Sequence, residues 1–265
     1  MLNTVRQVTD AVAAVTGEAL HSAWLYGSVI WVDFQRGWSD IDLLILTASP
    51  LTEAQAERLL KLRQKLTEKE PGNTYFRACE GVIACADEYR SGDFTRLVYW
   101  GTSGERITDR CPRDTFAAFQ LARYARCVAG TEDRSLFREP DRAEMVAAVK
   151  AHYEAIRQFA VQTDESLYSC GWLLDIARCL YTLRYNDIVS KMWAGLWAKE
   201  LHIFPDEEPL LKALEICRHP LKYKDREDVK QWLKGLGPTV QQYADVPEQE
   251  LRKAGALEAE TPRND

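Results

Sequence analysis

Four absences narrow what this 265-residue chain can be. No apolar run approaches the eighteen or so residues of a membrane-spanning helix, so no membrane partner is expected. The N-terminus, Met1-Leu2-Asn3-Thr4-Val5-Arg6, has no basic region leading into an apolar stretch; a secretory signal is not visible and a cytoplasmic location is expected. The seven cysteines (79, 85, 111, 127, 170, 179 and 217) show no C-x-x-C spacing, and an odd, scattered set fits reduced, mostly buried thiols better than disulfides or zinc. There is also no basic excess. Lys and Arg number 34 against 40 Asp and Glu, for a net charge of −6 and a pI near 5.4. That balance is a poor basis for nucleic-acid binding, which rests on phosphate neutralisation, and a better one for a cationic substrate. What remains, 46% hydrophobic and 28% charged residues, suits a globular protein of one large or two modest domains.

The stretch richest in chemistry is Leu25-Tyr26-Gly27-Ser28, followed after a gap by Ser39-Asp40-Ile41-Asp42-Leu43-Leu44-Ile45-Leu46. Strand periodicity of two puts Asp40 and Asp42 on one face. Two neighbouring carboxylates repel, and a divalent metal is the usual answer. Carboxylates together with substrate phosphate hold Mg²⁺, and such ions serve phosphoryl or nucleotidyl transfer. Gly27-Ser28, after the short strand Ala23–Tyr26, can present backbone N–H groups and a hydroxyl to phosphate oxygens.

Residues 4–16 read as an opening amphipathic helix ending near Gly17, and Val29–Phe34 as a short helix or turn in which Trp31 and Phe34 pack. Thr52 caps a helix over 52–68, stopped by Pro71-Gly72. Tyr75 to Cys85 reads as one strand whose alternation sets Glu80 opposite Cys79, Gly81, Ile83 and Cys85. A carboxylate in an otherwise apolar strand needs a cation partner or a chemical role. Arg90–Arg110 is loop-rich, with Tyr99-Trp100-Gly101-Thr102-Ser103-Gly104 as a candidate cleft wall, and 115–128 reads as helix. Leu136–Asp141 is the expected linker. Beyond it the pattern is helical, over about 142–162, 168–184, 188–200, 207–217 and 225–244, with a solvated tail over 252–265. Domains are therefore expected at 1–139 and 140–251.

Gly-Ser, a short turn and then Asp-x-Asp on the next strand resembles the nucleotidyltransferase superfamily that shares its catalytic fold with DNA polymerase β. The second half narrows this. Trp172-Leu173-Leu174-Asp175-Ile176-Ala177-Arg178-Cys179-Leu180-Tyr181, with Ser190-Lys191 and Trp197-Ala198-Lys199-Glu200 downstream, is similar to the aminoglycoside adenylyltransferases that modify streptomycin and spectinomycin. The resemblance implies an α+β fold: a polymerase β-like domain with a mixed sheet and flanking helices, then an all-α helical bundle, with ATP held between them. It implies that Gly27 and Ser28 hold ATP phosphates, Asp40 and Asp42 hold Mg²⁺, Glu80 is the catalytic base, and Arg178 and Lys191 grip the triphosphate. Trp100 lies near where the family presents an aromatic to the drug. The family's streptomycin-reading acidic residue would fall near Tyr168, where Ser166–Cys170 has no carboxylate; Asp164 and Glu165 stand just upstream as substitutes.

The function so implied is Mg²⁺-dependent transfer of AMP from ATP to a hydroxyl of a small, cationic, aminoglycoside-like substrate, by a monomer with no nucleic-acid partner. The alternatives are the same machinery with another acceptor, small molecule or protein, or another nucleotide, and a toxin–antitoxin-type nucleotidyltransferase. A fused helical RNase is disfavoured because none of the four histidines has an arginine four to six residues ahead of it. A catalytically dead nucleotide-binding protein is disfavoured by the presence of Ser28, Asp40, Asp42 and Glu80 together.

Overall fold

The computed structural model describes residues 1–18, 20–101, 104–111 and 114–257. Two compact units result: Met1–Phe34 with Ser39–Glu139, and Gln35–Trp38 with Pro140–Asp265.

In the first unit, α1 (Leu2–Thr16) buries Val5, Val8 and Val12 at helical spacing. It leads into β1 (Leu20–Tyr26), and a short 3₁₀ turn, Gly27–Trp31, separates β1 from β2 (Ile41–Thr47). The crossover to the next strand runs through α2 (Glu53–Leu60), α3 (Leu62–Lys69) and α4 (Tyr75–Ala78) to β3 (Cys79–Cys85). Then come α5 (Ala86–Ser91), β4 (Leu97–Trp100), β5 (Arg106–Thr108), α6 (Thr115–Arg123) and β6 (Arg126–Gly130). Among the described residues the strands form one sheet in the order β5-β4-β3-β2-β1-β6, parallel between β2 and β3 and antiparallel elsewhere. The α+β class with a mixed sheet is as the sequence implied.

Strand alternation divides the sheet's side chains between two cores. Ile41, Leu43, Ile45, Val98 and Trp100 pack with α1 and α2 residues such as Val8 and Leu59. Trp24, Leu44, Leu46, Val82 and Leu97 pack on the other side with Leu121 and Leu136. The packing expected of Trp31 and Phe34 is present: Trp31 lies edge-on to Tyr124 at 4.7 Å and Phe34 meets Tyr75 at 5.9 Å.

Several expectations need correcting. The helix expected over 52–68 is capped by Thr52, which forms a capping box with Gln55, but it breaks at Lys61, with Leu59 and Leu62 buried on either side. Tyr75–Ala78 is a helical turn rather than strand; Asn73 accepts the Tyr75 N–H, and the ladder with β2 begins only at Cys79 opposite Ile41. The stretch read as loop over 90–110 contains β4 and β5, while its Thr102 and Ser103 lie outside the described residues. Helix α6 ends at Arg123, and Arg126–Gly130 is a strand because β1 offers it a free edge to pair with. All seven cysteines are free and five are buried.

The second unit is helical: α7 (Arg142–Phe159), α8 (Tyr168–Tyr185), α9 (Lys191–Glu200), α10 (Glu208–Arg218), α11 (Pro220–Tyr223), α12 (Glu227–Lys234) and α13 (Gly237–Lys253). The last of these extends to Lys253, and residues 258–265 of the expected tail lie outside the described residues. Among the described residues no helix is long and apolar enough to cross a membrane.

A buried charge ties three of these helices. The Asp175 side chain on α8 is 5% exposed. It accepts from Arg178 at 2.6 Å, lies 3.6 Å from the Lys191 ammonium at the start of α9, and meets the His152 ring of α7 at 3.1 Å. Burial alone would push this carboxyl up; the charges of Lys191 and Arg178, with the hydrogen bond to His152, hold it well below the usual carboxylate range.

Two stability outcomes follow. Trp100 is 2% exposed and donates its indole N–H to the Leu59 carbonyl at 3.1 Å. Trp100→Phe loses that bond and leaves a void, and should lower unfolding free energy in urea by about 1–3 kcal/mol. Asp175→Asn leaves two cations beside a neutral amide and should cost about 3–5 kcal/mol near pH 7. Because the folded Asp175 carboxyl is depressed, its stabilisation is present above the unfolded value of 3.8 and is lost as pH falls toward the folded one. Urea midpoints taken from roughly pH 5 down to pH 3 should therefore fall more steeply in the wild type than in Asp175→Asn; equal slopes would remove Asp175 from that role.

Candidate active site

The parallel register of β2 on β3 sets Asp42 directly beside Glu80, and the antiparallel register of β1 on β2 sets Tyr26 beside Asp42. Tyr26, Asp42 and Glu80 thus stand in one row on the sheet face that also carries Leu44 and Val82. Asp40 immediately precedes β2, two residues before Asp42. The structure so brings Asp40, Asp42 and Glu80 to one end of the central strands, and all three are half-buried. The Tyr26 phenol is pushed well up, first by burial and then by the negative charge of Asp42 and Asp114.

Gly27 has a reason other than the one its motif suggested. Its backbone is left-handed at φ 70°, and a Cβ there would lie 1.7 Å from the Asp42 carboxylate. Any side chain at 27 would displace Asp42. Its N–H, expected to be offered to phosphate, is donated to the Gln120 side chain of α6 at 3.1 Å. Ser28 donates its hydroxyl to the Asp40 carbonyl at 3.4 Å, and its own carbonyl accepts from Asp33 N–H. The turn beyond Ser28 is tight rather than a full helix, and it closes on Val32 at φ 56°, a β-branched residue in the left-handed region, 94% exposed.

Burial raises the Asp40 carboxyl, and the Arg63 guanidinium offsets this only in part. Arg63 is itself held by Glu105 at 2.8 Å and by the Cys79 carbonyl. A desolvated carboxylate two residues from a second one, with a third beside that, is a donor set suited to a hard divalent cation. Among the described residues no group of three or more His, Cys, Asp or Glu side chains is arranged to hold a metal alone. Two carboxylates completed by substrate phosphate and water is the arrangement Mg²⁺ ordinarily takes, so the residues fit the ion as part of a nucleotide complex.

Trp100 does not join this face. It pairs with Gly81 and points into the α1–α2 core, opposite Glu80, so it offers nothing to a ligand. Antiparallel alternation gives the Glu80 side to Tyr99 instead.

In the helical unit, Arg178 and Lys191 meet at Asp175, as described above. Lys191 also lines a cleft of about 460 Å³ together with Asp164, Tyr168 and Trp172. Asp164 caps the loop ahead of α8, accepting from the Ser166 N–H at 2.9 Å and the Ser169 hydroxyl at 2.8 Å. Tyr168 is 61% exposed and lies 5.7 Å from the Trp38 ring, which belongs to the same unit.

Sequence reasoning gave no role to Tyr26, Arg63, Gln120 or Asp175, and within its candidate cleft wall it singled out Trp100 rather than Tyr99. Tyr26 carried a signal, since it directly precedes Gly27 and strand pairing places it against the Asp-x-Asp pair. Asp175 carried one too, lying one helical turn before Arg178. Gln120 carried none, because its role depends on a contact 93 residues away.

Residues 135–237 match the family model described as aminoglycoside adenylyltransferase, C-terminal domain. Among solved structures, the spectinomycin adenyltransferase AAD(9) from Enterococcus faecialis, crystallised with ATP and spectinomycin, is similar at 17% identity with a TM-score of 0.59, over 90% of this chain and 97% of that one. At that identity the likeness is one of fold. A sequence search of curated proteins finds no match. Residues 135–237 thus resemble the C-terminal domain of the aminoglycoside adenylyltransferases, and the chain as a whole shares its fold with a spectinomycin adenyltransferase.

Proposed function

We propose that this chain transfers AMP from ATP to a hydroxyl of an aminoglycoside-type acceptor and releases pyrophosphate. The observation that carries the reading is the in-register pair Asp42 and Glu80, with Asp40 two residues upstream. The family of the helical domain and the fold shared with a spectinomycin adenyltransferase support the choice of acceptor.

Asp40 and Asp42 are the residues that would hold Mg²⁺. The ion, when bound with nucleotide, screens the triphosphate's charge and polarises the α-phosphate. Glu80 takes the proton from the acceptor hydroxyl as its oxygen forms a bond to the α-phosphorus. The bond from that phosphorus to the bridging oxygen breaks, and pyrophosphate leaves with the electron pair. A fixed carboxylate contributes by holding the hydroxyl in line as well as by accepting its proton. Tyr26 keeps its proton, so beside Asp42 it is a hydrogen-bond donor that adds no charge. Gly27 keeps the space that the Asp42 carboxylate occupies.

Arg178 and Lys191 are assigned to the triphosphate. Both rest on Asp175, yet two cations share one carboxylate, so the cluster keeps a net positive charge for an anionic ligand. Asp164 and Tyr168 are assigned to the acceptor; the carboxylate suits an ammonium group and the exposed phenol a sugar ring.

The deciding assay is pyrophosphate release from ATP and Mg²⁺ with spectinomycin, streptomycin, kanamycin or no acceptor. Turnover is expected with spectinomycin or streptomycin. Glu80→Gln should lower kcat by about 10²–10⁴ while ATP affinity stays within about twofold. Asp42→Asn should lose turnover and Mg²⁺-ATP affinity together, and Gly27→Ala should follow it. A Glu80→Gln enzyme with near-normal turnover would remove Glu80 from the base role; ATP binding without turnover on any drug would move the acceptor outside this class.

A further inference from the structure

We infer that His152 is a positioning residue for nucleotide binding: by holding one oxygen of the buried Asp175 carboxylate, it keeps Arg178 from closing a two-pronged ion pair there. The inference deepens the adenylyl-transfer reading and rests on its assignment of Arg178 and Lys191 to the triphosphate.

The two oxygens of Asp175 have separate partners. Oδ1 accepts from Arg178 Nη2 at 2.6 Å and lies 3.6 Å from the Lys191 ammonium. Oδ2 meets Nδ1 of the His152 ring at 3.1 Å. The carboxyl is held well below the usual carboxylate range, so it is ionised and only accepts; Nδ1 of His152 therefore carries the proton of that bond. The ring comes from α7, the carboxylate and the arginine from α8, and the lysine from the first residue of α9. The arrangement is thus set by the packing of three helices of one unit.

A guanidinium beside a carboxylate favours two parallel N–H···O bonds. Arg178 stands three residues after Asp175 on one helix face, within reach of such a fork. With Oδ2 given to His152, it meets Asp175 through a single nitrogen, and the rest of the fork is not spent on this carboxylate. Loss of the ring N–H would leave Oδ2 of a buried anion without its donor, at a cost that Arg178 can relieve by turning its second nitrogen inward. A guanidinium so folded onto Asp175 is drawn away from a phosphate. The consequence falls on nucleotide affinity. The His152 side chain is 32% exposed, so it can be exchanged without opening the core.

The test is calorimetric titration of the full chain with Mg²⁺-ATP and no acceptor, so it does not depend on which hydroxyl is modified. His152→Ala should weaken Mg²⁺-ATP binding about tenfold, whereas His152→Asn, whose amide N–H can stand in for Nδ1–H, should stay within about threefold of wild type. In an Arg178→Ala background, His152→Ala should weaken binding by no more than about twofold further, because its effect runs through Arg178. A merely structural role would instead add in full. Should His152→Ala not fold, His152→Phe, which keeps a ring but has no donor, takes its place in each comparison. Binding within about twofold of wild type in the donor-less variant, failure of His152→Asn to restore it, or full additivity with Arg178→Ala overturns the inference while the nucleotide reading stands. A wild type that does not bind Mg²⁺-ATP overturns the nucleotide reading, and the inference with it.

Discussion

The pairing of β2 with β3 is the constraint on which the candidate site depends. Parallel strands have an evenly spaced ladder with no choice of wide or narrow pairs. Once Ile41 is set against Cys79, Asp42 must stand beside Glu80. Side-by-side carboxylates disfavour the folded state in water and more so where they are desolvated, so these strands hold together through the apolar residues that follow, Leu43 to Leu46 and Val82 to Cys85, which are buried on both faces. The apolar run downstream is what makes a repulsive arrangement upstream tolerable. At Asp40 the Arg63 guanidinium offsets the effect of burial only in part, and Arg63 also serves Glu105 and the Cys79 carbonyl.

The helical unit holds the opposite imbalance. Asp175 is one buried carboxylate among Arg178, Lys191 and His152. A cation anchored on a buried anion loses side-chain freedom before any ligand arrives, and less ordering remains to be done on binding. Within the helical unit this cluster is fixed by the packing of α7, α8 and α9.

Much of this could be read along the chain. The valines of α1 recur at helical spacing, and the apolar run Leu43–Leu46 marks β2 without knowledge of any partner strand. What could not be read is whatever depends on a partner. Trp100 and Tyr99 are adjacent aromatics, and only the register with β3 decides which faces Glu80. Arg126–Gly130 has a composition open to helix or strand, and the edge of β1 settles it. Tyr75–Ala78 continues the apolar pattern of β3 yet turns helical, because the ladder has no place for it before Cys79. The glycine of the Gly-Ser pair was found for one reason and is required for another: the motif suggested phosphate, while the geometry shows the Asp42 carboxylate pressed against its Cα side.

The segment Gln35–Trp38 lies in sequence between the Gly-Ser turn and the Asp-x-Asp strand, yet it clusters with the helices. Trp38 lies near Tyr168, and its ring would touch a Cβ at Gly171. The chain thus passes from one unit to the other more than once, and the helical part is not a cassette that a single cut after Glu139 would release. Recombination at that junction would carry off the surroundings of Trp38 while leaving Trp38 behind, just ahead of the Asp-x-Asp strand. A helical unit grafted at that junction must therefore also match this four-residue excursion, or Trp38 loses Tyr168 and Gly171 as neighbours.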